Sequence, residues 1–445
     1  MLFRSGVLRI AVIALLVHGG LLYFTAEVAM TTPTGFVPPQ DKGYLVVNAQ
    51  LPPGASLART AEVVAKLDEM TRKTEGVDHA IGLAGFSPLL GANLTNTGGM
   101  YVVLSPFEER AGNPEMSALA IVKRLRQQFA TVLEAQVGVF GAPPVEGIGS
   151  TGGFKVQVQD WRGAGLRALE EGVGELAASA MADPAISAAF SSFGTGQPQM
   201  FVDINREKAK VQGVSLDDVN RALQSYLGSY YVNDFAFVNR SWQVNLQADP
   251  TQRMKVEDLL RLEVRNAAGA RVPLSTLVTV RETSGPPIVN HYNLYPSAEI
   301  NGVPAPGVSS TETIETMDRL AKDNLPSVLG MEWTELSLQE ILASKDLLTK
   351  LVFPLAILFV FLVLAAQYES WSLPLAILLI VPLCVLASLL GVRSVGLDNN
   401  IFVQIGLIVL VALAAKNAIL IVEFAKQLQD EGKSLREATI DRKST

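Results

Sequence analysis

Four long apolar runs interrupt an otherwise mixed chain of 445 residues. A bilayer hydrocarbon core about 30 Å thick needs about 20 apolar residues of α-helix to cross it. We therefore predict four membrane-spanning helices, at residues 7–30, 347–367, 373–391 and 401–425. The first run could also be a secretory signal peptide, because Arg4 and Arg9 precede it. Its length and the lack of a small-x-small cleavage site favour a helix that stays in the chain.

Basic residues lie at both ends of this set of apolar runs. Two arginines precede the first run, and Lys426 and Lys433 follow the last one, in a tail that we place at residues 426–445. Because basic flanks stay in the cytoplasm, both ends are predicted to be cytoplasmic, and four crossings permit this. The region between the first and second helices, about residues 31–349, then lies outside the cytoplasm.

Residues 31–150 show the periodicities of a mixed α/β structure. Apolar and polar residues alternate in the predicted strands, and the helix that follows Ser56 has an apolar face. The predicted order is strand, helix, strand, strand, helix, strand, at residues 44–51, 57–73, 77–83, 100–104, 117–133 and 136–140. This βαββαβ order is that of the split ferredoxin-like arrangement.

The same order recurs farther along the chain, with an interruption. Strand, helix, strand and strand are predicted at 154–159, 166–181, 186–193 and 200–204, and strand, helix and strand at 299–303, 311–324 and 331–335. The residues between them have a different character, with a helix at 216–227 and a strand pair at 230–238 and 242–248. The predicted fold is a membrane α-helical bundle plus an α+β extracytoplasmic domain. That domain has two ferredoxin-like βαββαβ subdomains, 31–150 and the split 151–204 with 288–340, and an inserted mixed α/β module at 205–287.

Composition narrows the classes of function. The net charge is −7 and no long basic run exists, which argues against a nucleic-acid partner. Three scattered histidines and the single Cys384 form no zinc-type pattern, so no metal site and no cofactor are predicted. No nucleophile–base pair is visible either, and an enzyme is not expected.

Lys416 is the residue of greatest interest, because it interrupts the last apolar run. A lysine near the bilayer interior costs about 3 kcal/mol on insertion scales, and such residues usually face a partner inside the bundle. The alternative is that its long stem reaches the interface. The other three apolar runs contain no acidic residue at depth, and Glu423 lies too near the cytoplasmic end to be a central counter-charge. A partner from elsewhere is therefore expected, and the neighbouring Asn417 is interpreted as a polar helix contact.

The glycine-rich stretch 84–99 is predicted to be a loop that carries apolar residues. Phe86, Leu89 and Leu90 on a mobile loop would form a surface that recognises apolar compounds. The alternative, that the loop packs onto its own domain, is equally open. It is not a phosphate loop, because no Lys-Ser/Thr pair follows the glycines.

Several long motifs resemble those of the resistance–nodulation–division efflux pumps, in the branch that exports hydrophobic and amphiphilic drugs. They are the run Gly406–Lys426, the run Ala365–Pro374, Pro33-Thr-Gly-Phe36 with Gln40–Gly43, and Gly228–Phe235. The resemblance extends from about Val7 to Ile440 and corresponds to the second half of such a pump.

The resemblance implies roles for the predicted parts. Residues 31–150 and the split 151–204 with 288–340 would be porter subdomains, and 205–287 a docking module. Lys416 matches the lysine of a proton relay whose aspartates lie in the first half of the pump. Phe86 matches an aromatic residue of a flexible loop beside the drug pocket. Ile81 and Tyr101 fall at two other pocket positions, although the residue types differ there.

The resemblance also implies partners and a location. These are the missing N-terminal half with its relay carboxylates, a periplasmic adaptor, an outer-membrane channel and a homotrimer of the full pump, in a bacterial inner membrane with a large periplasmic domain. Family members continue beyond Asp441 into two more helices, so a partial chain is expected. A transport-incompetent fragment or interaction module is the alternative. A metal-exporting relative is less favoured, because the last three apolar runs contain no methionine.

Overall fold

The structure is a computed structural model that describes residues 11–434 and 437–438. The chain divides into two compact units. One contains the described residues up to Phe193 together with those from Ile288 onward, and the other is Gly194–Pro287.

Helix α1 precedes the first of two α/β sandwiches in the larger unit. The elements are α1 (Ala11–Thr31), β1 (Tyr44–Gln50), α2 (Leu57–Arg72), β2 (Val77–Ser87), β3 (Ala92–Leu104), α3 (Phe107–Arg110), α4 (Ala118–Phe129) and β4 (Gln136–Gly141). The strands form an antiparallel sheet in the order β2-β3-β1-β4. Alternate residues of β1, among them Leu45 and Val47, pack with Leu67 and Leu125 of the two long helices. Ser56 caps α2 by accepting a hydrogen bond from the amide of Arg59.

The second sandwich begins with β5 (Phe154–Asp160), α5 (Leu166–Ala182) and β6 (Ile186–Phe190), and the chain then enters the smaller unit. That unit contains β7 (Gln197–Ile204), α6 (Arg206–Val211), α7 (Leu216–Leu223), a π-helical turn (Gln224–Gly228), β8 (Tyr230–Phe237), β9 (Arg240–Leu246), α8 (Val256–Leu260), β10 (Glu263–Arg265), β11 (Arg271–Pro273) and β12 (Val278–Gly285). Short 3₁₀ turns lie at Pro250–Gln252 and Leu274–Thr276.

Strand β7 corrects a predicted boundary. The sequence assigned residues 200–204 to the second sandwich, but β7 pairs antiparallel with β12 along its whole length. Val202 and Ile204 of β7 pack against the core of the smaller unit. The module therefore starts at Gly194 and not at residue 205. An alternating strand pattern shows that a strand forms, but it does not show which sheet the strand joins.

The chain then returns to complete the second sandwich. The remaining elements are β13 (Asn290–Tyr292), β14 (Tyr295–Pro304), α9 (Ser310–Asn324) and β15 (Leu329–Trp333). Strand β14 pairs with both β6 and β5, and β15 pairs with the other edge of β5. The resulting order β6-β14-β5-β15 matches that of the first sandwich. Val156 and Ile300 of this sheet pack with Leu176 of α5 and Met317 of α9.

The last part of the chain is helical. It contains α10 (Glu335–Lys345), α11 (Leu347–Tyr368), α12 (Ser372–Leu378), α13 (Val381–Ser394) and α14 (Ile401–Asp430). Among the described residues, three stretches are long and apolar enough to cross a membrane: Leu351–Tyr368, Ser372–Ser394 and Ile401–Asp430. The apolar part of α1, Leu15–Thr31, is shorter, so its crossing stays a prediction, and residues 7–10 lie outside the described ones.

One predicted helix contains a turn, and one predicted helix end is wrong. The stretch 373–391 lies within one apolar span, Ser372–Ser394, as predicted, but residues 379–380 form a turn between α12 and α13, and Pro382 lies in the first turn of α13. Proline has no amide proton to donate, so it suits the first turn of a helix and not its interior. Helix α14 also continues past residue 425 to Asp430. Lys426, which was assigned to the tail, is therefore helical.

Candidate functional site

Lys416 lies in the middle turns of α14 on an exposed face. The helix begins at Asn400, whose Oδ1 accepts hydrogen bonds from the amides of Phe402 (3.1 Å) and Val403 (3.2 Å). Asn417 is exposed next to Lys416, whereas Ala415 is buried. The membrane helices therefore leave both polar residues on the side of α14 that they do not cover.

The buried face of α14 packs on its neighbours through small and branched residues. Ala415 forms an apolar cluster with Leu364 of α11 and Ile377 of α12. No ion pair to Lys416 is found within residues 11–434. A counter-charge for this ammonium group would therefore have to approach the exposed face of α14.

The stretch 84–99 is not a loop, which corrects the prediction. Strands β2 and β3 continue through it as one hairpin, and only residues 88–91 form the turn. The glycines allow close packing: a Cβ on Gly98 would lie 2.3 Å from Cγ2 of Val64, and one on Gly82 would lie 2.7 Å from its Cγ1. These glycines were interpreted as a source of mobility. In the structure they instead allow α2 to lie close to the hairpin.

The residues that were expected to bind a substrate differ in exposure on the hairpin β2–β3. Leu89 is buried with 4% of its surface exposed, which supports the alternative that this segment packs onto its own domain. Ile81 is 56% exposed and lies directly opposite the half-buried Tyr101. Phe86 and Leu90 are half-buried near the turn. The register thus brings Ile81 and Tyr101 together, and Leu89 is removed from any surface site.

Sequence reasoning missed a buried charge network in the second sandwich. The Nζ of Lys155 lies 3.3 Å from Oε2 of Glu299 and 2.9 Å from Oε1 of Glu335. Asn301 donates a hydrogen bond of 2.9 Å to the other oxygen of Glu299. Burial alone lowers the pKa of Lys155, but the two carboxylates more than offset this, so its pKa is raised.

The network belongs to the sheet face opposite the helices. Lys155 and Asn301 are directly opposed on β5 and β14. In the sequence both lie at alternate polar positions of otherwise apolar strands, a pattern typical of a solvent-exposed face. The alternation of polar and apolar residues showed that each strand has two different faces. It could not show that the polar face is buried as well. Among the described residues, no group of three His, Cys, Asp or Glu side chains is placed to hold a metal ion.

The described residues thus combine helices long enough to cross a membrane, two α/β sandwiches of the same strand order and a lysine within an apolar helix. The chain belongs to the AcrB/AcrD/AcrF family, whose model matches residues 3–443. These are resistance–nodulation–division multidrug efflux proteins.

Individual relatives are similar over almost the whole chain. A multidrug/solvent efflux pump membrane transporter of Pseudomonas putida, MepB, is 38% identical over 424 residues, which cover 95% of this chain and 39% of that protein. The toluene efflux pump membrane transporter TtgB of Pseudomonas putida has the same identity and coverage. The multidrug export protein AcrF of Escherichia coli is 36% identical over 431 residues, covering 96% of this chain and 41% of AcrF. The chain thus spans about two fifths of the length of these relatives.

Proposed function

We propose that this chain is part of a proton-motive-force-driven transporter that exports amphiphilic drugs or other hydrophobic compounds across the cell envelope. The observation that carries the proposal is Lys416, a lysine inside an apolar helix on a face that neighbouring helices leave uncovered. The names of the relatives, which describe multidrug, solvent and toluene efflux, support the substrate class.

In this proposal the two sandwiches are porter subdomains and the smaller unit is a docking module. The sandwiches and the smaller unit are periplasmic, and the helices lie in the bacterial inner membrane. The working pump is a homotrimer in which the N-terminal half supplies the carboxylates. Its partners are a periplasmic adaptor and an outer-membrane channel. The shared strand order of the sandwiches supports the porter assignment.

Lys416 acts as a proton-relay residue in this scheme. Its ammonium group pairs with carboxylates of the other half, and protonation of those carboxylates releases it. A charged group of this kind is costly in an apolar medium without a partner, so each change of protonation favours a different helix arrangement. Asn417 would contribute a polar contact on the same side of α14.

The substrate surface of the proposal lies on the hairpin β2–β3. Ile81 is exposed and Tyr101 half-buried beside it, and together they present an apolar and aromatic surface to a ligand. Phe86 and Leu90 would border this surface near the turn. Leu89 is not included, because it is buried within its own sandwich.

Replacing Lys416 tests the relay. We expect Lys416→Met in the assembled transporter to abolish proton-dependent export of a fluorescent amphiphile such as ethidium, while the protein still inserts. Lys426→Met is the matched control. Lys426 lies in the same helix and forms an exposed ion pair with Asp430 (3.1 Å), so its loss should leave export unchanged. Normal export by Lys416→Met would remove Lys416 from the mechanism.

The second candidate function is a transport-incompetent interaction module. The lack of an ion pair to Lys416 in the described part of the chain favours it for the chain by itself. Cells that make this chain together with the N-terminal half of a relative would distinguish the two functions. Proton-dependent efflux from such cells would reject the module, and unchanged drug susceptibility would support it.

A further inference from the structure

Within the larger unit, a chain of hydrogen bonds joins the segment after α1 to helices α9 and α10. Ser310 and Thr311, in the first turn of α9, each donate a hydrogen bond of 2.9 Å to Oε1 of Glu340 on α10. The amide of Phe36 donates to Oγ of Ser310 at 3.1 Å, and Thr34 donates to Oγ1 of Thr311 at 3.4 Å. The two hydroxyl groups that bind the segment 33–36 therefore both donate hydrogen bonds to one carboxylate oxygen of Glu340.

The same segment is bonded on its other side to the start of α14. The amide of Asn399 donates to the carbonyl of Pro33 (2.8 Å), and the amide of Ile401 donates to that of Phe36 (3.0 Å). Gly35 lies against the carboxylate of Asp398: a Cβ added to Gly35 would sit 1.8 Å from Oδ2. The segment 33–36 is therefore tied to α14, which carries Lys416, and to the second sandwich.

The segment 33–36, the residues Ser310, Thr311 and Glu340, and residues 398–401 form what we call the joint. The contacts within this joint are polar. The apolar clusters of the described residues lie within the sandwiches, within the smaller unit or between membrane helices, and no residue of the joint belongs to them. A hydrogen bond exchanges for one with water at a small net cost, whereas separating a packed core exposes apolar surface. The joint can therefore rearrange without disrupting either core.

The carboxylates of Glu340 and Asp398 interact electrostatically across the joint. Burial raises the pKa of Glu340, the two hydroxyls lower it, and the negative charge of Asp398 raises it again, so that the pKa of Glu340 lies above its ordinary value. Asp398 belongs to the segment just before α14, and its Oδ1 accepts a hydrogen bond of 2.9 Å from Asn400. The electrostatics of α10 and of the start of α14 are thus linked.

We propose that Glu340, with Ser310 and Thr311, is a positioning residue that transmits movement of α14 through the segment 33–36 to the second sandwich. The inference rests on the proposed function, because it assumes that α14 moves when its lysine changes partners. Glu340 does not contact the substrate surface in this scheme, so it should affect the rate of export and not the affinity for substrate.

A reversible cross-link tests whether the joint must move. Thr34→Cys with Thr311→Cys, in an assembled transporter with Cys384→Ser and no other cysteine, places two sulfurs where hydroxyls are 3.4 Å apart. We expect normal export under reducing conditions, loss of export on oxidation and recovery on renewed reduction. The control pair is Gln50→Cys with Gln136→Cys, a half-buried and an exposed residue opposed on β1 and β4 of the first sandwich. Its oxidation should not change export.

The outcomes separate this inference from the proposed function. Full export by the oxidised Thr34–Thr311 pair would overturn the inference and leave the proposed function intact. A transporter without cysteine changes that shows no proton-dependent export would overturn both. Recovery on reduction excludes misfolding as the cause of the loss.

Variants of Glu340 give a second measurement. Glu340→Leu should lower the maximal export rate at least about ten-fold with an unchanged KM for substrate. Glu340→Gln, which can still accept both hydroxyl hydrogen bonds, should recover much of that rate and alter its pH dependence, because the titrating group is gone. A raised KM with an unchanged maximal rate, or export by Glu340→Leu at the normal rate, would overturn the role of Glu340.

Discussion

The two sandwiches share one strand order, yet their sheet faces away from the helices are chemically different. On the first sheet this face carries Val46 and Phe140, and the ring of Phe140 contacts that of Phe190 with centroids 5.9 Å apart. On the second sheet the corresponding face carries Lys155 and Glu299, both buried. The faces that pack on the helices are apolar in both sandwiches.

This difference shows that one fold tolerates either an apolar or a charged second sheet face. Desolvating charges costs several kcal/mol per ion, so the second sandwich gains little stability from replacing apolar residues by ions. The charges instead fix the position of Glu335 at the start of α10. Lys155 holds Glu335, which starts α10 with a φ of +55°, a left-handed conformation that non-glycine residues rarely adopt. The second face of the first sandwich is apolar instead, and its buried Phe140 packs against Phe190.

The largest expected effect tests the charged face. Lys155→Met should lower the free energy of unfolding by about 3–5 kcal/mol, because it leaves the buried carboxylate of Glu299 without a counter-charge and with only the hydrogen bond from Asn301. Denaturant unfolding of the solubilised chain, followed by circular dichroism, measures it. The matched control is Lys66→Met in the first sandwich. Its ion pair with Glu134 is exposed, so the loss should be less than about 1 kcal/mol.

A double variant makes this test sharper. Lys155→Met combined with Glu299→Met removes the two buried charges and leaves only the carboxylate of Glu335, which is 25% exposed, so most of the lost stability should return. If Lys155→Met were no more harmful than Lys66→Met, the network would not be buried in solution, and the contrast between the two sandwiches would not hold.

An intermediate effect is expected from Asp160, at the end of β5. Its carboxylate accepts hydrogen bonds from the amides of Ala164 (2.9 Å) and Gly165 (2.8 Å) just before α5. Burial raises the pKa of Asp160, but these backbone hydrogen bonds outweigh it and hold the pKa below the ordinary 3.8. Asp160→Asn should cost about 1–3 kcal/mol at neutral pH.

The stabilisation that Asp160 provides should depend on pH in a defined direction. Because the pKa of Asp160 is lower in the folded state, its stabilisation is complete above pH 3.8 and is lost as the pH falls through the folded value. Unfolding at a series of pH values should therefore show the native protein and Asp160→Asn converging in acid. Gln127→Ala, at an exposed position of α4 that carries no titratable group, should run parallel to the native protein at every pH. A constant difference between native and Asp160→Asn would contradict the assignment.

The smallest effect on stability is expected on the hairpin of the first sandwich. Ile81→Ser should change the free energy of unfolding by no more than about 0.5 kcal/mol, because the side chain is 56% exposed. It should, however, weaken export of apolar substrates by the assembled transporter. Leu119→Ser, at a position of α4 that is 75% exposed, is the control and should leave export unchanged. Equal export by both variants would remove Ile81 from the substrate surface.

The chain's local patterns predicted most elements correctly, since apolar periodicity and caps are local properties. Ser56 precedes α2 as predicted, and its side chain accepts a hydrogen bond from the amide of Arg59. Ser117 was predicted to be the first residue of the next helix, but in the structure it is the cap that precedes α4. The glycines of 84–99 misled the prediction. Whether a glycine loosens a chain or lets another element approach depends on what packs there, and Val64 of α2 decides it.

The sequence by itself determined that the chain has long apolar helices, two βαββαβ element orders and a lysine within the last apolar helix. Those features follow from the identity and spacing of neighbouring residues. Only the tertiary structure decided that β7 joins the smaller unit, that Leu89 is buried, and that Lys155 meets Glu299 and Glu335. Each of these depends on strand pairing or packing between residues far apart in the chain, where alternating patterns fit several partners equally well.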